Sequence, residues 1–312
     1  MSDAILDTSS RMVVRRVPFS YTDTATAGTA PGHWNTNSPE FSQIVNSASL
    51  AMPYLEPYLI RSMREARKQI TDLALQKDLD LYVAQEATHF RQHRKFNDTL
   101  AAAGYQAIGP IEDRLRRDYE VLGTKRSLRF NLAYAEGFES MALAIGHMLI
   151  EDRVFLFGDS DPAVASLVLW HFVEEIEHKN VAFDVFAHLH GSYFWRMVGL
   201  VYATSHIFWR TGQGYRALLK EDGLWRDLKS RLRLAKVLVR IIKNILPRWF
   251  HIWRPSYHPS QVADPKWGRD WAKLFDANPD GAANLDTSRL RETVPVAVPS
   301  SVVGTQAQKD GL

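Results

Sequence analysis

Two glutamate–histidine pairs stand out among the residues able to do chemistry. Glu86 and His89 are three apart in QEATHFRQH, and Glu175 and His178 are three apart in WHFVEEIEH. Residues three apart share one face of an α-helix, so each pair can offer a carboxylate and an imidazole to the same metal ion. Carboxylate-bridged bundles combine two such Glu-x-x-His pairs with one lone Glu from each of two further helices. Lone glutamates stand here in the required order. Glu56 precedes the first pair, and Glu136 precedes the second, with Glu139 one turn away as a substitute. A single Glu-x-x-His is a weak signal, but two pairs interleaved with lone glutamates make a stronger one. The second pair also lies in LVLWHFVEEIEHKNVAFDVF, where apolar and aromatic residues crowd it. A solvated face with ordinary salt bridges would be polar all round, whereas this face is expected to be buried. Burying several carboxylates without a cation is very costly.

The surroundings extend the pattern. His171 lies four residues before Glu175 and projects from the same face, either as a third nitrogen ligand or as an interhelical hydrogen-bonding histidine. His93 stands in the same relation to His89 and is given a supporting or core role. Glu174 can accept a ring N–H from a histidine of a neighbouring helix and fix its tautomer, and Glu177 and Asp184 are weaker versions of that idea. Four carboxylates with a minority of imidazoles suit two iron ions, with manganese or zinc as alternatives. The chain has no cysteine, which excludes disulfides, thiolate nucleophiles and iron–sulfur ligation. It also lacks a Ser-His-Asp pattern and a glycine-rich phosphate loop, so no rival chemistry carries comparable weight.

The elements that must position these residues are helices. With 312 residues, 46% hydrophobic and 23% charged, the chain can bury one sizeable core. Residues 1–37 read as an irregular arm. A short helix opens at Ser38 and Pro39 and is interrupted at Pro53. Longer stretches follow over 54–69 and 72–103, with Gly104 as the break. Residues 104–124 suit a long crossover with a short helix inside. Helical period resumes over 125–157 and again after Pro162 through His190, giving four long helices between 54 and 190. Strand signals are weak throughout, so the expected fold is all-α, a ferritin-like four-helix bundle over 38–220 with a long crossover. The window Tyr193 to Trp209 carries Arg196 and His206 and falls short of a membrane span, so it is read as a buried or interfacial helix. Residues 221–280 form a basic amphipathic helical extension, and 281–312 are read as a flexible tail.

The net charge of +3 is too small for a general nucleic-acid argument, and no nucleic-acid motif is present. What basic charge there is clusters late. Lys229, Arg233, Lys236, Arg240 and Lys243 lie along one helix face, beside a stripe of Leu228, Leu232, Ala235, Val239, Ile242 and Leu246. The stretch 226–254 therefore suits either packing of its stripe on the bundle or docking on an anionic membrane surface. The first residues lack the apolar core of a secretory signal, so the expected location is the cytoplasm, with a peripheral position on the inner face of the membrane as an extension of the docking reading. A homodimer is the other partnership considered.

The stretches LEPYLIRSMREA, QEATHFRQHRKFN, YAEGFES and WHFVEEIEHKNVAFDVF resemble a bacterial family described as predicted metal-dependent hydrolases, a ferritin-like group, over about residues 50–190. The resemblance implies Glu56, Glu86, His89, Glu136, His171, Glu175 and His178 as the metal-facing set, with Glu136 preferred to Glu139. Pro57 directly follows Glu56 and places it at a helix start or in a kinked turn. The run from His171 to His178 is also similar to di-iron arylamine N-oxygenases, in which an extra histidine binds one iron. That similarity tilts the reading from hydrolase toward a di-iron oxygenase or oxidase. Glu86, Glu136 and Glu175 would then carry the catalysis on a small apolar or lipid-like substrate, with dioxygen and an external electron donor as partners. A dimetal hydrolase, using a metal-activated water and no oxidant, is the alternative. A non-enzymatic iron-binding or membrane-associated protein is the third reading.

Overall fold

The computed structural model describes residues 12–21 and 32–299. Helices account for nearly all the regular structure. They are α1 Pro39–Ser49, α2 Met52–Arg67, α3 Leu73–Ala102, α4 Ile108–Lys125, α5 Leu128–Glu151, α6 Arg153–Phe157, α7 Pro162–Glu177, α8 Val181–Leu189, α9 Tyr193–Glu221, α10 Leu228–Ile252, α11 Lys266–Ala277 and α12 Pro279–Ala282. Among the described residues there is no strand beyond an isolated bridge between Leu285 and Ala297. The chain is therefore all-α.

Local chemistry sets where the long helices begin. Asp72 accepts from the Ala74 and Leu75 amides at the start of α3, and Ser127 accepts from Phe130 at the start of α5. Asp161 accepts from Val164 at α7, which has Pro162 in its first turn where no N–H is required. Gly104 closes α3 with a φ of 95°, a left-handed backbone that suits glycine at a helix end. Helices α2, α3, α5 and the α7–α8 pair pack around one another, an arrangement compatible with a ferritin-like bundle.

Several expectations need correction. The crossover holds a full helix of 18 residues, α4, because Ile108, Ile111, Leu115, Tyr119 and Leu122 form a continuous buried stripe. Gly109 and Pro110 fall in its first turn, where proline costs no hydrogen bond. The helix expected to run from Pro162 to His190 breaks into α7 and α8 at His178–Asn180. Lys179 lies in this break, and its ammonium is 2.6 Å from the Val262 carbonyl and 2.5 Å from Asp264. Helix α2 runs through Pro57, so Glu56 sits more than a turn inside a helix and not at its start. The stretch from 281 is packed as far as 299. The Leu285 amide donates to Ser166 at 2.8 Å, and the Thr287 hydroxyl donates to the Ser160 carbonyl at 2.7 Å. Its remainder, 300–312, lies outside the described residues, as do 1–11 and 22–31 of the N-terminal arm. No helix among the described residues is long and apolar enough to cross a membrane.

Helix α5 is buried on nearly every side, and α9 supplies its outer cover. The two backbones approach at glycines. A Cβ on Gly199 would fall 1.9 Å from the Ala133 carbonyl oxygen, and one on Gly137 would fall 2.4 Å from the Leu200 amide nitrogen. Both contacts are with backbone, so no side chain can swing away to relieve them. Gly199→Ala is therefore expected to destabilise the fold by about 3 kcal/mol or more, at the upper end of overpacking costs. Urea denaturation measures this, and a loss under about 1 kcal/mol would show that α9 can slide without strain.

Candidate metal centre

Each long bundle helix contributes to one buried cluster. Glu56 comes from α2, Glu86 and His89 from α3, Glu139 from α5, and His171 and Glu175 from α7, with His178 at the α7 C-terminus. All seven are buried, and the most exposed, His171, is only 5% accessible. Their donor atoms fall into overlapping groups within 4.8 Å of one another: Glu86, Glu139, Glu175 and His178; His89, His171 and Glu175; and Glu56, Glu86 and His89.

Glu175 joins these groups. Its Oε1 lies 3.0 Å from His171 Nε2 and 3.5 Å from His89 Nδ1, while its Oε2 lies 3.1 Å from His178 Nε2. His178 Nε2 in turn lies 3.3 Å from Glu139 and 3.5 Å from Glu86. Glu86 is shared as well, because its Oε1 is 3.8 Å from His89 Nδ1. Two adjacent sets of donors thus have Glu86 and Glu175 in common.

Each imidazole aims one nitrogen at the carboxylates and gives the other to a partner. His89 Nε2 meets Glu174 at 3.1 Å, His178 Nδ1 meets Gln85 at 3.2 Å, and His171 Nδ1 meets His93 Nε2 at 2.6 Å. His93 is itself held by the Ser49 hydroxyl at 2.8 Å. Such outer partners fix the tautomer and ring orientation that a metal ligand needs. Arg15 completes this layer with both terminal nitrogens 2.8 Å from Glu177 oxygens and one of them 3.3 Å from Glu174. The Tyr82 hydroxyl donates to Glu139 at 2.7 Å.

The interior, by contrast, is not satisfied. Both oxygens of Glu56, both of Glu86, Oε2 of Glu139 and Nδ1 of His89 are buried with no hydrogen-bond partner. Buried polar atoms are nearly always paired, so orphans gathered in these adjacent donor groups call for cations among them. The donor set of carboxylates and imidazoles fits one.

With the protein's own charges alone, the electrostatics are frustrated. Burial, reinforced by the Glu175 and Glu139 charges, raises Glu56 and Glu86 well above the carboxylate range. Burial and Glu175 push Glu139 up to about 7. For Glu175 burial acts upward too, but His178, His171 and His89 outweigh it and hold the carboxyl well below its ordinary value. Burial works against the charged form of His178, yet Glu175 and Glu139 raise that group well above normal. His171 is lowered by burial and by His89, and His93 is lowered strongly by burial and His171.

Of the residues anticipated from spacing, Glu136 and Asp184 stand outside the cluster. The Glu136 carboxylate is turned toward α9, within reach of the Arg196 charge and accepting from Ser140 at 3.0 Å, because the Gly137–Gly199 contact holds that part of α5 against α9. Glu139 occupies the place by the cluster that the resemblance implied for Glu136. Asp184 pairs with His258 at 2.9 Å. Sequence reasoning missed Gln85, Tyr82 and Arg15. Tyr82 was legible as the residue four before Glu86 on the same face. Arg15 gave no signal, since it lies in a segment without periodicity.

A family model described as "Predicted metal-dependent hydrolase" matches residues 13–263, and the chain belongs to that family. No curated protein and no solved structure matches the chain. The match overturns the reading as a dioxygen-activating oxidoreductase: the family's described activity is hydrolysis, which agrees with the alternative that uses a metal-activated water. Dioxygen and an electron donor are needed only by the discarded reading.

Two outcomes follow for the purified protein. Groups raised in the folded state stabilise it below their unfolded pKa and lose that contribution as pH rises. His93 and His171, held low, instead add stability as pH passes about 6.5 and have given all of it by about pH 7.5. Above that, Glu56, Glu86 and His178, all held well above their ordinary values, dominate, so chelated protein should lose unfolding free energy as pH rises past about 7.5, and an added divalent ion should flatten the slope. A flat profile without metal would contradict the clustering of charges. Separately, Gln85→Ala and Glu174→Ala should each weaken divalent-metal affinity about 10- to 100-fold in calorimetry. His188→Ala, at an exposed position on α8, should not.

Proposed function

From membership of the predicted metal-dependent hydrolase family, we propose that the buried cluster holds two divalent ions and hydrolyses a small, largely apolar, lipid-like substrate. The observation that carries this reading is the Glu175 carboxylate, whose two oxygens face two different donor groups. One ion would be held by Glu86, Glu139, Glu175 and His178. The other would be held by Glu56, His89 and His171 with the shared Glu86 and Glu175. Bound there, the pair would supply a nucleophilic water at neutral pH and polarise the scissile bond. Carboxylates and imidazoles without thiolate suit iron, manganese or zinc, and the metal content of the purified protein decides among them.

The chain's own residues do the rest. Glu174 and Gln85 hold His89 and His178 in the tautomers that turn a bare nitrogen inward. Tyr82 keeps its proton, since burial and then Glu139 push its pKa well above normal, and it uses that proton to orient Glu139. The ring centres of Trp170 and His89 lie 5.0 Å apart with the planes nearly perpendicular, and those of Phe172 and His171 lie 5.2 Å apart, so the donors sit among aromatic surfaces that exclude bulk water. Those surfaces support an apolar substrate.

The test is hydrolysis of a panel of p-nitrophenyl esters, amides and phosphoesters with and without chelator. Chelation should abolish turnover and a divalent ion restore it, while Glu86→Gln and His178→Ala should lose both bound metal and at least about 100-fold in rate. Turnover that survives complete loss of metal would sink the reading. So would metal-loaded protein that is inert across all three bond types.

A further inference from the structure

Helix α10 carries two apolar faces, and only one of them touches the protein. Ser230, Leu234, Val237, Ile245 and Ile252 are buried against the bundle. The stripe legible in the sequence is not that face. Leu228 is 72% accessible, Leu232 and Val239 are 64%, Phe250 is 59% and Ile242 is 58%. The exposed row is offset by two residues from the buried one (Leu228 from Ser230, Leu232 from Leu234, Phe250 from Ile252). At 3.6 residues per turn that is about 200°, so these residues point away from the bundle, while Ile242, three before the buried Ile245, lies toward the margin of the row. A helix that merely packed its stripe on the core would show polar residues on this side.

The charge beside the row is of one sign. From Leu228 to Ala263 the chain contains no acidic residue. Arg233, Arg240 and Arg248 reach back to Glu40, Asp152 and Glu151 and clamp the helix to the bundle. Lys229, Lys236 and Lys243 are exposed, and no acidic partner for them is found among the described residues. At the far end Trp253 is 37% exposed, and the Tyr193 hydroxyl donates to its carbonyl at 2.7 Å. That contact joins the α10 row to a second exposed apolar surface on α9, a groove of about 770 Å³ lined by Phe194, Val201, Tyr202 and Trp209 among others.

We propose that the outer face of α10 docks on an anionic lipid surface. The exposed row enters the acyl boundary, Phe250 and Trp253 sit at headgroup level, and Lys229, Lys236 and Lys243 lie over lipid phosphates with their stems along the apolar row. The contact lies outside the metal centre and stands independently of the hydrolase reading. Charge complementarity selects lipid over a second copy of this chain, since two such faces would bring like charges together.

Sedimentation of the full chain with phosphatidylcholine vesicles, with and without phosphatidylglycerol, tests this. Binding is expected only to the anionic vesicles and should weaken as salt rises. Lys236→Gln with Lys243→Gln should lower the partition coefficient about 30-fold, since each basic residue near the surface contributes a little over about fivefold. Val239→Ser with Ile242→Ser, two exposed positions, should lower it at least about 10-fold with an unchanged thermal midpoint. Equal binding to neutral vesicles would overturn the proposal. So would no binding to either vesicle, or a wild-type dimer in sedimentation velocity that Val239→Ser with Ile242→Ser converts to monomer.

Discussion

Glu56, Glu86, Glu139 and Glu175 lie side by side in a buried helix interior, and the remaining architecture answers to the cost of that arrangement. Desolvation charges each ionised carboxylate several kcal/mol, and mutual repulsion adds to it. The nearby histidines cannot cancel the sum: burial keeps His93 and His171 in the neutral form, which leaves His89 and His178 as the cationic contributors. The protein's own groups therefore cannot hold all four carboxylates ionised, and they leave unpaired oxygens and an unpaired nitrogen pointing inward. Divalent ions resolve both deficits together, because they bring positive charge and accept several donor atoms at once.

Holding such a cluster requires helices that cannot relax away from it. Helix α5 is fixed by the backbone contact of Gly137 and Gly199 with α9, so Glu139 cannot retreat toward solvent. Segments remote in sequence brace the other side. Arg15 bridges Glu177 and Glu174 and thereby reaches His89, while its guanidinium lies 5.9 Å from the rings of Trp271 and Phe275 on α11. An irregular N-terminal stretch and a late C-terminal helix thus meet over the outer partners of the centre. Arg15 lies inside the family match, which runs from residue 13 to 263, whereas α11 lies just beyond it.

The two Glu-x-x-His pairs were legible because a helix converts a spacing of three into a shared face without further information. Their burial was legible from the apolar residues around the second pair. The choice between Glu136 and Glu139 was not, since both project from α5 and the decision rests on a glycine contact with a helix 60 residues later. Helix α10 shows the opposite limit. Periodicity reported an apolar stripe correctly, but a helix with two apolar faces gives one pattern for each, and only packing says which one meets the core. The break at His178 was hidden because the apolar period continues across it to His190; Lys179 within it meets Val262 and Asp264, partners far along the chain.

That break bears on the proposed chemistry. Helix α7 ends at Glu177, so His178 sits where the helix carbonyls are unpaired and the macrodipole is negative, a position that favours cations. The Glu175–His178 pair is thus directed by a helix terminus, whereas Glu86 and His89 lie within the continuous α3. The two donor sets are consequently unequal. Apart from the shared Glu86 and Glu175, one has Glu139 and His178, while the other has Glu56, His89 and His171. Catalytic metal sites keep a position open, and structural ones are filled by protein donors. Under the proposed hydrolase reading, the set completed by Glu139 and His178, which has fewer protein donors, would be the one to take the water.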